Sequence, residues 1–173
     1  MEYRYASKSV THLLTQNQIG IVDEEDADLV NVKWYAAFNA TYGNGGRYAV
    51  QRNYTVNGKR CTLFIHRLIL SRMLGRELTA SEQVDHINQD TLDNRRCNLR
   101  LATNSQNAAN TGRRNGKSGY KGVVWHVKME KWCASIYSEG KRLYLGLYDT
   151  PQEAHEAYCK KAKEIRGEFA RCE

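Results

Sequence analysis

VDHINQDTLDNRRCNLRLATNSQNAAN, residues 84–110, is the stretch on which the reading of this 173-residue chain turns. Val84 and Ile87 flank an Asp85–His86 pair, a polar turn follows, and LRLA (99–102) reads as a returning strand. Thr103 can cap a short helix with Asn107 about one turn inside it. Asn104, Asn107 and Asn110 then share a face at i, i+3 spacing. The segment predicts strand, loop, strand and helix in quick succession.

The residue types point to phosphate chemistry. A carboxylate (Asp85) and an amide oxygen (Asn107) are hard ligands suited to Mg²⁺ or Mn²⁺, with water and a phosphate oxygen completing the shell. A neutral imidazole, His86, can take a proton from water attacking phosphorus, while a metal offsets charge on the phosphate and the departing 3′ oxygen. Neighbours on a regular strand point to opposite faces. A bend is therefore expected near Asp85–His86, so that both can serve one phosphate.

From His66, through "HRLI", to Asn110 the chain resembles the HNH endonucleases, in particular the homing-type subgroup of phages and mobile introns, and more weakly so in "VDEEDADLVNVKWYA" upstream. The resemblance implies a ββα-metal motif. It implies Asp85 as a metal ligand, His86 as general base, Asn98 as the residue tying the loop together, and Asn107 as second ligand where many relatives carry histidine. The spacing D-H-x₁₁-N-L-x₇-N together with the DNRR loop carries the likeness.

A structural reading stands beside the catalytic one. Asp85 and His86 can be a strand-end turn pair, and the asparagines can be caps and loop fasteners. His66, set between apolar neighbours, suits a hydrogen-bonded core position as well as a phosphate contact. Asn94, Arg95 and Arg96 can hold the loop or meet DNA phosphates, and Arg95 and Arg96 are carried forward as DNA contacts.

Composition frames this. The formal charge is +7 and the pI about 9.2, which makes a polyanionic partner the first expectation. The net charge is +1 over residues 1–60, +3 over 61–116 and +3 over 117–173. The apolar run LFIHRLIL is interrupted by His66 and Arg67, so no membrane span is expected. The N-terminus MEYRYASKSV lacks the apolar core of a signal peptide, so an intracellular, cytoplasmic location is expected, in a bacterial or phage-infected host. Five cysteines without a C-x-x-C pair read as free thiols.

Residues 1–55 are expected to form a β-rich region. QIGIVD (18–23) and RYAVQRNYTV (47–56) read as strands, YGNGGRY (42–48) as a hairpin turn, and Asp23 to Asp26 as the acidic start of a short helix. A buried helix is expected over Thr62–Leu74. The nuclease domain is placed at 56–110, followed by a basic linker at 111–117 within TGRRNGKSGYKGVVWHVK, whose five bases face no acid.

Residues 118–173 differ in texture. YKGVVWHVK (120–128), KWCASIY (131–137) and KRLYLGLY (141–148) read as three strands with period-two alternation. Thr150-Pro151-Gln152-Glu153 reads as a capping box with proline at the first helical position, and Gly167 as the stop. A three-stranded antiparallel sheet covered on one face by a helix is expected. Its open face would carry Lys121, His126, Lys128, Lys131, Tyr137, Arg142 and Tyr144, a surface able to enter a major groove. Trp125 and Trp132 are expected in the core. "SGYKGVVWHV", "KWCASI", "YLGLYDTPQEAHEAY" and "IRG" resemble the apetala/ethylene-response-factor DNA-binding domain, which implies base reading by that face. Several family arginines and a tryptophan are replaced here, at Val124, His126, Ser135, Tyr137 and Tyr144.

The expected class is α+β throughout. The functional expectation is a metal-dependent endonuclease acting on double-stranded DNA at a specific site, monomeric and without an obligate protein partner, with Arg113 and Arg114 in the linker and the open sheet face adding DNA contacts. The rival expectations are a non-catalytic DNA-binding regulator and an RNA-binding protein, the latter disfavoured by the deep, narrow groove of A-form RNA.

Overall fold

The computed structural model describes residues 8–40, 46–110 and 117–172. The chain forms two compact units, Met1–Asn104 and Ser105–Glu173, each with its own core. The class is α+β, with short helices among small antiparallel sheets.

In the first unit β1 (Ser9–Leu13) and β2 (Ile19–Asp23) make an antiparallel hairpin, followed by a 3₁₀ helix over Glu24–Asn31. A three-stranded sheet comes next, with β3 (Tyr35–Asn39), β4 (Arg47–Val56) and β5 (Lys59–Phe64) in sequential order. The helix α1 (Ile65–Leu74) leaves β5 directly, and β6 (Gln83–His86) pairs with β7 (Leu99–Ala102); α2 (Asn104–Ala109) starts at the last residue of this unit and belongs otherwise to the second.

Alternation along the sheet decides what is buried. Ala36 and Val50 are register partners on the inner face, and both are buried. Ile65, Ile69 and Leu70 of α1 meet them, joined by Val22, Trp34, Val84 and Leu99 in one core. Fully burying an aliphatic side chain of this kind contributes about 1.5–3 kcal/mol. The indole N–H of Trp34 donates to the Leu29 carbonyl at 2.7 Å, so the ring is buried without an orphaned donor.

This core crosses the boundary expected at 55/56, which falls inside the β4–β5 ribbon. The helix expected from Thr62 begins only at Ile65, because Thr62, Leu63 and Phe64 extend the ladder opposite Asn53, Arg52 and Gln51. The turn expected at 42–48 and the linker at 111–117 lie mostly outside the described residues, as do Arg113 and Arg114.

In the second unit β8 (Val123–His126), β9 (Lys131–Ser138) and β10 (Lys141–Tyr148) form an antiparallel sheet in the order β10-β9-β8. The helix α3 (Pro151–Arg166) covers one face. Its capping box is formed: Glu153 N–H donates to Thr150 Oγ1 and Thr150 N–H to Glu153 Oε2, both at 3.3 Å. Ala134, Ala154 and Ala162 are fully buried, and such small side chains let helix and sheet approach closely. Gly122, at φ +75°, allows the tightest contact, since a Cβ there would lie 2.0 Å from the Tyr158 ring.

Strict alternation fails on β10. A bulge between Tyr144 and Gly146 puts Gly146 opposite Ala134 and Leu147 opposite Cys133. Beyond Leu145 the inward and outward sets exchange, so that Tyr148 rather than Leu147 packs in the core.

Candidate active site

The β6–β7 hairpin sets the site. Its register places Asp85 opposite Arg100 and His86 opposite Leu99. Cross-strand partners share a face, and Arg100 Nε and Nη2 each lie 2.8 Å from Asp85 Oδ2. Asp85 is almost wholly buried. The ladder runs in regular register through His86, so the bend expected at the pair lies instead beyond it, where Gln89 N–H donates to the His86 carbonyl and Gln89 takes φ +66°.

Asparagines fasten the loop from Ile87 to Asn98. Asn98 Nδ2 donates to the Asp93 carbonyl at 2.7 Å, and its Oδ1 accepts from Asn88 N–H at 2.9 Å. Asn88 Nδ2 donates to Asp93 Oδ2, and Asp90 accepts from Leu92 N–H in a local turn. A single side chain thus holds both ends of the loop.

Asn94, fully buried, is the residue whose role the sequence did not disclose. Its Nδ2 donates to the Leu92 carbonyl at 3.1 Å, which fixes the amide so that Oδ1 faces His86 Nε2 at 3.2 Å. An acceptor at Nε2 selects the tautomer protonated there and leaves Nδ1 as the acceptor nitrogen of the ring. Burial pushes the His86 pKa down, against the opposing pull of Asn94 and Asp85, so the neutral ring is favoured. Only the eight-residue separation from His86 within the DNRR string could have signalled Asn94.

His66, at the start of α1, packs edge-on to His86 with ring centroids 5.3 Å apart and stacks on Phe64 at 5.5 Å. Its Nδ1 is buried without a hydrogen-bond partner. Burial, with His86 and Arg67 adding, lowers its pKa to about 3. His66 is thus a neutral packing partner of the catalytic candidate.

The acidic stretch after β2 braces the loop. Asp23 Oδ2 accepts from Arg96 N–H at 2.7 Å, and fully buried Asp26 accepts from Arg96 Nε at 2.8 Å and Arg72 Nη1 at 3.1 Å. Glu25 adds an ion pair to Arg96, and Asp28 binds Arg72 through both oxygens. Ile21 pairs with the loop as well, donating to the Leu92 carbonyl and accepting from Asn94 N–H. Arg95 pairs with Asp93 at 2.7 Å, which holds the Asp93 carboxyl below its usual range. Arg95 and Arg96, the two loop arginines expected to meet DNA, are therefore engaged by carboxylates of the first unit.

Asp85 and Asn107 offer a carboxylate and an amide oxygen, hard donors that fit a small divalent cation. Among the described residues no three His, Cys, Asp or Glu side chains gather about one point.

A family model described as HNH endonuclease matches residues 63–109, the segment built up above. Protein 3.8 of Escherichia phage T7 is 32% identical over 89 residues, which are 51% of this chain and 73% of that protein. The chain belongs to the HNH endonuclease family. An uncharacterized HNH endonuclease of Acanthamoeba polyphaga mimivirus is 29% identical over 123 residues, 71% of this chain and 64% of its own length, so the chain spans less than two thirds of that relative. An AP2 domain model matches residues 118–168. The AP2-like ethylene-responsive transcription factor of Arabidopsis thaliana is 38% identical over 56 residues, 32% of this chain and 12% of the factor. The chain thus carries an HNH-family nuclease domain and an AP2 domain, and no helix among its described residues is long and apolar enough to cross a membrane.

On the sheet of the AP2 domain the register puts Lys131, Tyr137, Arg142 and Tyr144 on the face away from α3, with His126 opposite Lys131. Tyr137 and Tyr144 are each 64% exposed. Arg142 Nε donates to Ser135 Oγ at 2.9 Å, and Lys131 pairs with Asp149 at 3.0 Å. His126 Nδ1 accepts from Met129 N–H, closing the 3₁₀ turn after β8 that also carries exposed Lys128. Lys121 stands apart: its Nζ donates to the Ala109 carbonyl at 2.6 Å and caps the end of α2. Trp132 packs in the core as expected from alternation, while Trp125, edge-on to it at 5.0 Å, is 42% exposed.

Proposed function

We propose that this HNH endonuclease is a homing-type, metal-dependent enzyme that hydrolyses a phosphodiester of double-stranded DNA at a site addressed by its AP2 unit. The observation that carries this reading is a buried, neutral His86 whose Nε2 is held by Asn94 and whose Nδ1 is the accepting nitrogen. Nδ1 takes the proton of a water molecule as that water forms a bond to phosphorus and the bond to the 3′ oxygen breaks. Asp85 and Asn107 would hold Mg²⁺ or Mn²⁺, which supplies charge neutralisation at the phosphate and the departing oxygen. Asn98 keeps the loop closed.

A small nuclease motif has little surface for base reading, which supports assigning address to the appended sheet through Lys128, Lys131, Tyr137, Arg142 and Tyr144. The protein is proposed to act as a monomer inside a bacterial or phage-infected cell.

The Asp85–Arg100 ion pair favours one rival, a DNA-binding regulator whose Asp85 merely braces a hairpin. Incubation of duplex DNA with Mg²⁺ and either the wild type or H86A separates the two. Loss of cleavage in H86A with DNA binding retained supports catalysis; a wild type that binds but never cuts supports the regulator.

A further inference from the structure

Near-neutrality over residues 1–60 conceals a segregation of charge. Every acid of that stretch lies at or before Asp28, and Asp23, Glu25, Asp26 and Asp28 are engaged by Arg72 and Arg96. From Leu29 to Arg76 the chain has eight Lys and Arg and no Asp or Glu. The arginines of α1 and of the turn after it are occupied: Arg67 donates to the carbonyls of Leu78, Thr79 and Glu82, Arg72 to Asp26 and Asp28, and Arg76 to Glu82. Arg47 donates to Gln89 Oε1 at 2.8 Å. Lys33 lies over the Tyr35 ring, 5.6 Å from its centroid. Arg52, Lys59 and Arg60 remain, all on the β4–β5 ribbon and all exposed, and no carboxylate among the described residues pairs with them.

The ribbon itself is unusual. Asn57 and Gly58 close it at φ +51° and +74°, the pairing of a tight two-residue hairpin. From Arg52 to Thr62 every residue is exposed except half-buried Asn53 and Cys61, so both faces of the arm meet solvent. A two-stranded arm without a core has little stability of its own in water. Its side chains, Asn53, Thr55, Asn57 and Thr62 beside three cations, are hydrogen-bonding groups suited to phosphate and base edges. A two-stranded ribbon also has the width a major groove admits.

The arm leads to the nuclease centre. Phe64, at its base, stacks on His66, which meets His86 edge-on. Gln51 is the register partner of Phe64, and five residues separate it from Val56 at the tip. At about 3.4 Å per residue the arm reaches about 17 Å beyond that row, which is about five base pairs of B-DNA.

We propose that the β4–β5 ribbon is a second duplex-DNA-binding element, in which Lys59 and Arg60, near its tip, hold backbone phosphates about five base pairs from the scissile phosphate, and Arg52, one residue beyond Gln51, holds one nearer to it. The position relative to the cut rests on His86 being the catalytic base; the binding itself does not.

The test uses the full chain bearing R52Q/K59Q/R60Q. Each lost phosphate contact flattens the dependence of log K on log salt by about 0.9, so the slope should fall by up to about 2.7. The footprint should retract by about five base pairs on one side only. R52K/K59R/R60K should keep both values of the wild type, which separates lost charge from a disturbed fold. An unchanged slope and footprint in the glutamine variant overturns the ribbon, and so does an equal change in K160Q/K163Q on α3. Footprint retraction in a protein whose wild type does not cut leaves the ribbon standing and overturns the catalytic reading alone. A wild type that does not bind duplex DNA overturns both.

Discussion

Asn94 presents its amide oxygen to Nε2 of His86 at 3.2 Å, and its own amide nitrogen is anchored on the Leu92 carbonyl. The tautomer of the proposed base is therefore fixed by a loop residue rather than by the strand that carries it. N94A should leave DNA binding intact and lower the cleavage rate by about tenfold to a hundredfold, the usual effect of losing such an orienting partner. Single-turnover cleavage at saturating protein measures this, and a rate within twofold of the wild type would remove Asn94 from the mechanism.

His66 makes stability depend on pH. Its folded pKa of about 3 lies below the ordinary value of 6.5, so the unfolded chain binds the proton more readily. The stabilisation is present in full above pH 6.5 and is lost as pH falls from there toward 3. One proton gives a slope of at most about 1.4 kcal/mol per pH unit. Urea unfolding of the wild type and His66→Phe between pH 7 and 4.5 should show a shallower decline in the variant; parallel curves would falsify the assignment.

Asp26 is buried between two arginines that remain partly exposed. Asp26→Asn should destabilise the first unit by about 2–4 kcal/mol, because the buried neutral amide loses its charge-assisted hydrogen bonds to Arg72 and Arg96. Differential scanning calorimetry should show the unfolding transition of that unit move down while that of the AP2 unit stays in place. A common shift of both transitions would mean the clamp has been misread.

Gly122→Ala should unfold or loosen the AP2 unit, since the added carbon would strike the Tyr158 ring and the backbone is left-handed there. A loss of about 2 kcal/mol or more is expected. DNA affinity should drop with it, and wild-type melting in the variant would refute the close approach as a constraint.

The nuclease motif was legible in the sequence because its chemistry sits in a short, self-contained run: Asp85, His86 and Asn98 are close in number and close in space. Asn94 was visible as a polar loop residue, but its bond to His86 depends on how the loop closes. Arg95 and Arg96 illustrate the limit in the opposite sense. Their charge reads as an offer to phosphate, yet Asp93 and Asp26 take it up, and a partner some seventy positions away leaves no local trace. In the AP2 unit alternation located all three strands, whereas the bulge after Tyr144 came from a ladder mismatch that no periodicity encodes. The averaged charge of residues 1–60 hid the basic ribbon because acids that brace and bases that project were summed together.

Arg96 closes on Asp23 and Asp26 only after some seventy further residues have been made. During synthesis the acidic stretch must wait for its cations, and the loop after β6 stays unlocked until residue 96 has left the ribosome. Residues 63–109 are therefore no cassette that recombination can move intact: transplanted without residues 21–26, the loop would arrive without its clamp. The AP2 unit carries its own core and its own helix cap. Exchange between genes should break the chain at the AP2 boundary and spare everything before it.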